Sequence, residues 1–312
     1  MRKLLPFVCL LPAFAADAQF NGRWDITVPQ ETRARAWWLE VSGAGTPAME
    51  GKFVGFPGGN MNDIPHIAIQ DGELRFSFDY KDSHTGQPMH LDYSARYNAN
   101  DGTLRGVRHS SDGKELPWVG NRAPEITDKD DGSWHDGTPL ELFNHKDLSG
   151  WQPMVPNQAL GWAMKDGAMA NVAGANNLVS TDSFWNFKLH AEFRVGEHSN
   201  SGIGLRGRYE VQILEDYGKP PNKHSNGALY SRIAPAVNAS KPAGEWQSYD
   251  IRLVGRTVTI VLNDQKVIDK GEVEGLTAIA GNADEGKPGP FILQGDHGPV
   301  EFRKIVLTPL VQ

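Results

Sequence analysis

The feature that most constrains this chain is a period of two. FKLHAEFRV alternates Phe187, Leu189, Ala191, Phe193 and Val195 with Lys188, His190, Glu192 and Arg194, the pattern of a strand with one face in a core and the other polar. WQSYDIRLVGRTVTIVLNDQKVID reads as a pair of strands followed by a hairpin that turns at Asn263-Asp264, and FILQGDHGPVEFRKIVLTPL supplies two closing strands. The first third has the same grammar. Short strands run from GRWDITVP through TLRGVRHS, separated by the turn signals SGAG, GFPGGN, QDGE and NANDGT, and no amphipathic helix of useful length interrupts them. The expected fold is all-β in two modules. A smaller antiparallel β-barrel or sandwich occupies residues 19–127, a linker of accumulated Pro, Gly and Asp covers 128–139, and a two-sheet sandwich covers 140–312.

The opening MRKLLPFVCLLPAFAADAQ has two cations, an apolar run and small residues at Ala16 and Ala18. It predicts a signal peptide over residues 1–18, with cleavage after Ala18 or Ala15. The run is too short to span a bilayer and no later segment replaces it, so the expected location is periplasmic or secreted, without a membrane anchor. Cys9, the only cysteine, lies inside the run rather than at its end, which argues against lipidation. Its removal would leave no thiol for disulfides, metal sites or nucleophilic catalysis. Formal charge is −7, or −8 without residues 1–18, and no basic cluster suited to nucleic acid is present. Neutral partners such as sugars fit better, and nine tryptophans offer faces on which sugar rings stack.

SGIGLRGRYEVQILEDYG, 201–218, concentrates the polar chemistry. As one strand it places Ile203, Leu205, Tyr209, Val211 and Ile213 on one face and Arg206, Arg208, Glu210 and Gln212 on the other. The polar file is either a wet outer face or the floor of a binding site. Planar Arg and Gln side chains beside a carboxylate form a fixed array suited to hydroxyl and carbonyl groups, and His190 with its neighbours repeats the pattern on another strand. One bulge would bring Glu210 and Glu215 to the same face. The frame Glu210-x-Gln212-x-x-Glu215 is similar to the bulged E-x-D-x-x-E strand of retaining jelly-roll glucanases, with a neutral amide in place of the central acid. His297, at a strand end before a turn, and His224, in a loop long enough to form a wall or lid, are further candidates. His84, His90 and Asp92 are too loosely spaced to define a metal site, and no segment spells a calcium loop, a phosphate loop or a nucleophile elbow, so no cofactor is assigned.

Four blocks, ELFNHKDLSGWQ (141–152), NSGIGLRGRYEVQILEDYG (200–218), GALYSRIAPAVNASKPAGEWQSYDI (227–251) and LQGDHGPVEFRKIVL (293–307), resemble the DUF1080 or 3-keto-disaccharide hydrolase domain family in order, across nearly all of residues 134–312. His145 stands where the family more often has Gly. The resemblance implies a concanavalin A-like lectin/glucanase jelly roll and a carbohydrate substrate already oxidised to a ketone at C3 by a separate sugar oxidoreductase. The ketone acidifies the C2 hydrogen, so a base opens an elimination route that avoids an oxocarbenium ion. Carried onto matching positions, the resemblance implies Glu210 as base, Arg206 and Gln212 as donors to the enolate or hydroxyls, His297 or Glu215 as leaving-group acid, and Gln294 as a ring-orienting contact. Two alternatives stay open: a carbohydrate-binding module without catalysis, and a retaining glucanase-like hydrolase with Glu210 and Glu215 as its pair.

Overall fold

The structure is a computed structural model, and it describes residues 17–30, 35–83 and 85–312. Most of the predicted signal segment, Cys9 with it, and His84 lie outside the described residues.

The N-terminal module is one nine-stranded antiparallel sheet. Gly22–Thr27 lies near its middle, between Trp37–Ser42 on one side and Glu115–Arg122 on the other. The sheet curls, because residues from its two halves share a core: Phe53 meets Phe76 and Tyr93 edge to face, at ring distances of 5.2 and 4.9 Å. The adjacent Trp37 and Trp38 point to opposite faces, as strand geometry requires. Trp37 enters the first module's core, whereas Trp38 packs with Ala36, Val54, Leu276 and Ala280 in a cluster shared with the second module.

Beyond Arg122 the chain runs without regular structure along the second module and is pinned there. Asp128 accepts from Trp185 Nε1 (2.6 Å) and Asn186 Nδ2 (2.8 Å), and Asp130 pairs with Arg252 at 2.8 Å. The second module packs two antiparallel sheets face to face. One has Phe187–Val195 at its centre, between Gln247–Val254 and Val300–Val311. The other has the order Trp151–Pro153, Leu178–Ser180, Ile292–Leu293, Asn200–Leu205, Tyr209–Leu214. The alternating apolar set of Phe187–Val195 is buried against Ile203, Tyr209, Val211 and Leu293 of the facing sheet, the layer arrangement of a β-sandwich. The Asn263-Asp264 turn has φ of 49° and 63°, the left-handed pair that a two-residue hairpin requires.

One expectation needs correcting, and it decides where the site lies. Residues 201–218 do not form one strand. Asn200–Leu205 and Tyr209–Leu214 are antiparallel partners, with Leu205 opposite Tyr209. Arg206 and Gly207, at φ of 50° and 67°, turn the chain, and Arg208 N–H closes the turn on the Leu205 carbonyl at 3.0 Å. The apolar set survives this reversal because directly opposed residues share a face, so Ile203, Leu205, Tyr209, Val211 and Ile213 all remain in the core. The polar file does not survive it. Its arginines sit in the turn, and only Glu210 and Gln212 remain on the strand.

Candidate functional site

On the polar face of this hairpin Glu210 lies opposite Gly204, and Gln212 lies opposite Gly202. The glycines leave the face open to the longer side chains. A Cβ on Gly202 would stand 2.7 Å from Glu210 Oε1 and 3.1 Å from its Cγ, so the absence of a side chain there is what seats the carboxylate. The backbone of Glu210 is fixed on both sides: its N–H donates to Thr277 Oγ1 (2.9 Å), and its carbonyl accepts from Tyr230 N–H (2.9 Å). The loop that supplies Tyr230 also pairs with Gln212, through the bonds Gln212 N–H to Ala228 O and Gly227 N–H to Gln212 O, both 3.0 Å. It thereby covers the outer edge of the sheet.

Glu210, Gln212, Gln294, Asn200 and His297 line a cavity of about 180 Å³ together with Tyr230, Ala278 and three residues of the N-terminal module, Arg35, Gly58 and Gly59. Glu210 is 3 % exposed. Burial pushes its carboxyl up to about 7, while His297 and Arg35 pull it down and Asp296 raises it. The amide of Gln212, turned so that its nitrogen faces acceptors, donates to Glu210 Oε1 (3.3 Å) and to the Ser201 carbonyl (3.1 Å). His297 Nδ1 lies 2.7 Å from Asp296 Oδ1, and this hydrogen bond raises the imidazole above its ordinary range. The other carboxylate oxygen of Asp296 accepts from Arg35 at 2.8 Å. Gln294 is 6 % exposed, and its Oε1 has no partner although it is buried. An unpaired acceptor in a cavity wall is suited to a ligand hydroxyl.

The structure therefore brings together Glu210, Gln212, Gln294 and His297, and it places the other sequence candidates elsewhere. Arg206 and Arg208 are fully buried at the turn and serve the fold. Arg206 donates to Trp185 O (2.6 Å), Gly255 O (2.9 Å) and Asn186 Oδ1 (2.8 Å), and its guanidinium lies 3.9 Å from the Trp185 ring centre. Arg208 donates to Asn282 Oδ1 (2.8 Å) and Lys287 O (2.9 Å). With these donors committed to loop carbonyls and amides, Arg206 is not available to an enolate. Glu215 lies past the end of the strand; the hairpin register has no bulge, and the Glu215 carboxylate accepts from His198 N–H at 3.4 Å and lies 3.8 Å from Lys219 Nζ. It does not line the cavity, which removes the paired-carboxylate geometry that a bulge would have created. His190 is on the other sheet, 2.8 Å from Asp250. His224 is exposed in its loop and reaches the site only indirectly, with its ring 5.0 Å from that of Tyr230.

Sequence reasoning missed Tyr230, Asp296, Arg35 and the Gly58-Gly59 wall. Tyr230 and Asp296 stand inside the blocks GALYSRIAPAVNAS and LQGDHGP, so a signal for both was present. Arg35 and the two glycines have no local signal; only docking of the two modules carries them there. Tyr230 OH lies 3.4 Å from both Gly58 O and Asn60 Oδ1, and Ser231 Oγ accepts from Met61 N–H at 2.9 Å. His90 lies between Asp79 and Asp92 (2.7 and 3.0 Å), and among the described residues no group of three or more His, Cys, Asp or Glu side chains is arranged to hold a metal ion.

Among solved structures, a candidate glycosyl hydrolase from Parabacteroides distasonis ATCC 8503 is 27 % identical, with a TM-score of 0.49 over 61 % of this chain and 92 % of its own. A second from the same organism is 18 % identical, with a TM-score of 0.46 over 57 % of this chain and all of its own. A β-glucanase from Bacillus licheniformis is 12 % identical, with a TM-score of 0.36 over 55 % and 98 %. No protein with a curated description matches. The family profile described as a 3-keto-alpha-glucoside-1,2-lyase-like domain matches residues 138–308, more than half of the chain and the whole segment that supplies Glu210, Gln212, Gln294 and His297. The chain belongs to this 3-keto-alpha-glucoside-1,2-lyase-like family.

Proposed function

We propose that the protein cleaves glycosides already oxidised to a ketone at C3, by proton abstraction and elimination. The observation that carries this reading is the Glu210 carboxyl. It is buried in the cavity and raised to about 7, and among the described residues no cation pairs with it. A carboxylate so placed is a competent base at neutral pH, because its ionised form is populated while its basicity is enhanced.

Glu210 takes the proton from C2, and the bonding pair forms an enolate whose charge lies on the C3 oxygen. Donors on the cavity wall meet that charge: the hydroxyl of Tyr230, held only by long bonds to the N-terminal module, and the amide of Asn200 or Gln294. Gln212 holds the base rather than the substrate. Collapse of the enolate forms the C1–C2 double bond and breaks the C1–O bond. The departing oxygen takes a proton from Nε2 of His297, whose Nδ1 is occupied by Asp296. Water then adds at C1 of the enone, neutral His297 accepts its proton, and Glu210 returns its own to C2, which resets both groups. The ketone comes from a separate sugar 3-oxidoreductase, and the opening segment would carry the protein to the periplasm or outside the cell.

The test compares release of alcohol from aryl 3-keto-glucosides of both anomers with release from the unoxidised parents, using wild-type protein and Glu210→Gln. Cleavage of the keto compounds alone, lost in the variant, is the expected result. Equal cleavage of the parents would overturn elimination, and sugar binding without cleavage of either would favour a binding module.

A further inference from the structure

The family profile begins at residue 138, yet the cavity is not complete without residues far upstream of it. Arg35 stands at the mouth of the pair that protonates the leaving group. Its NH2 donates to Asp296 Oδ2 at 2.8 Å, while Asp296 Oδ1 meets His297 Nδ1 at 2.7 Å. The two oxygens of one carboxylate are thus held from opposite sides by different modules. The docking that brings Arg35 there is built in: Ala36 N–H donates to Ala280 O at 2.8 Å, Trp38 is buried against Leu276 and Ala280, and Gly59, at φ +73°, lies where a Cβ would come within 2.7 Å of Ala278 Cβ. Arg35 itself keeps about a quarter of its side chain exposed, so it is not a core anchor of either module.

We propose that Arg35 is a positioning residue of the active site, supplied by the N-terminal module, which fixes the Asp296 carboxylate and through it the orientation and charge of the His297 imidazole. The inference deepens the reaction given above and rests on it for its kinetic arm. A guanidinium bonded to the second oxygen restrains rotation of the carboxylate about its Cβ–Cγ bond and so helps to fix the plane in which the imidazole lies. Charge follows the same route. Among the described residues, the charged groups that act on His297 are Asp296, Glu210 and Arg35, with the Tyr230 hydroxyl on the same cavity wall, and Arg35 lowers the proton affinity of both His297 and Glu210. Removal of Arg35 takes one positive charge away from the two anions beside the imidazole.

The experiment uses the full chain as wild type, Arg35→Gln and Arg35→Lys. Leaving groups separate the role of the acid from that of the base: a nitrophenolate departs without protonation, an alkoxide does not. Arg35→Gln is expected to lower kcat about tenfold or more on alkyl 3-keto-glucosides and to change it little on nitrophenyl 3-keto-glucosides. Both limbs of its pH profile should move to higher pH, and Arg35→Lys should restore most of the profile. Equal losses on both substrates, with an unmoved profile, would overturn the proposal in favour of a merely structural contact. A second readout needs no turnover: the His297 ring resonances, followed by NMR, should titrate at higher pH in Arg35→Gln than in wild type, and coincident curves would overturn the proposal. If wild-type protein leaves every keto-glycoside intact, the reaction fails while the titration still decides on Arg35.

Discussion

The turn of the Asn200–Leu214 hairpin and the strand just beyond it both bury charged side chains, and the two do opposite things. At the turn, Arg206 directs three donors at three protein acceptors and stacks over Trp185; it is charged, fully buried and satisfied. Two positions past the turn, Glu210 is as buried and meets one amide, and the nearby Gln294 oxygen meets nothing. Burial alone therefore does not mark a site. What sets Glu210 and Gln294 apart from Arg206 is that their burial is left largely uncompensated in the wall of an open cavity.

The largest effect expected from this contrast is at Glu210. The isosteric Glu210→Gln should cost at least about 100-fold in kcat on a 3-keto aryl glucoside, the scale of a lost general base. It should also stabilise the protein at alkaline pH. Because burial raises the folded carboxyl from 4.5 to about 7, the folded state holds its proton more tightly than the unfolded one. The stability it contributes is full below about 4.5 and is lost as pH rises through about 7, in total about 3 kcal/mol. Urea denaturation at pH 5 and pH 8 should therefore show a gap between variant and wild type that is small at pH 5 and several-fold larger at pH 8. A gap of the same size at both would mean that Glu210 is not buried as a carboxyl.

The turn end predicts the reverse signature. Arg206→Met takes the side-chain donor from the Trp185 and Gly255 carbonyls and leaves the Asn186 amide oxygen with only the Gly255 N–H, a loss on the order of 3 to 5 kcal/mol. Folded variant, assayed well below its Tm, should keep kcat within about threefold, because nothing at the cavity has changed. A variant of normal stability with no activity would place Arg206 back in the site.

Gly202→Ala lies between these extremes. Its φ is ordinary, so the backbone accepts alanine, but the new Cβ must displace the carboxylate it would meet at 2.7 Å. Misplacing the base predicts a fall of about tenfold or more in kcat, with an overpacking cost of about 1 to 3 kcal/mol. Undiminished turnover would show that Glu210 acts from another rotamer.

How much of this was legible follows from which distances the sequence encodes. The alternation of Phe187–Val195 and the left-handed pair Asn263-Asp264 are local signals, and both elements stand where the sequence puts them. Glu210, Gln212, Gln294 and His297 were legible through the motif blocks that contain them. The reversal at Arg206-Gly207 was harder to see. A non-glycine residue at positive φ is uncommon, and pairing Leu205 with Tyr209 preserved the apolar period on which the single-strand reading rested. The glycine between two arginines was the overlooked sign. Arg35 and Gly58-Gly59 were not legible, because no period or spacing links them to Glu210; a domain interface does.

The smallest expected effects test the residues that the structure moves out of the site. Glu215 is occupied by the His198 N–H and is within reach of Lys219, and His190 by Asp250 on the far sheet. Glu215→Gln and His190→Ala should each leave kcat within about twofold and stability within about 1 kcal/mol, as for half-exposed ion pairs. The first of these is the sharper measurement. A retaining mechanism needs a second carboxylate across the glycosidic bond from the first, and among the described residues that line the cavity Glu210 is the only carboxylate. Nearby Asp296 is bound through both oxygens, to Arg35 and His297. If Glu215→Gln were nevertheless to fall 100-fold on an unoxidised glucoside, the strand would have to bulge in solution and the two-carboxylate reading would return. If it turns over keto-glucosides at the wild-type rate, one carboxylate suffices, and elimination is the chemistry that needs only one.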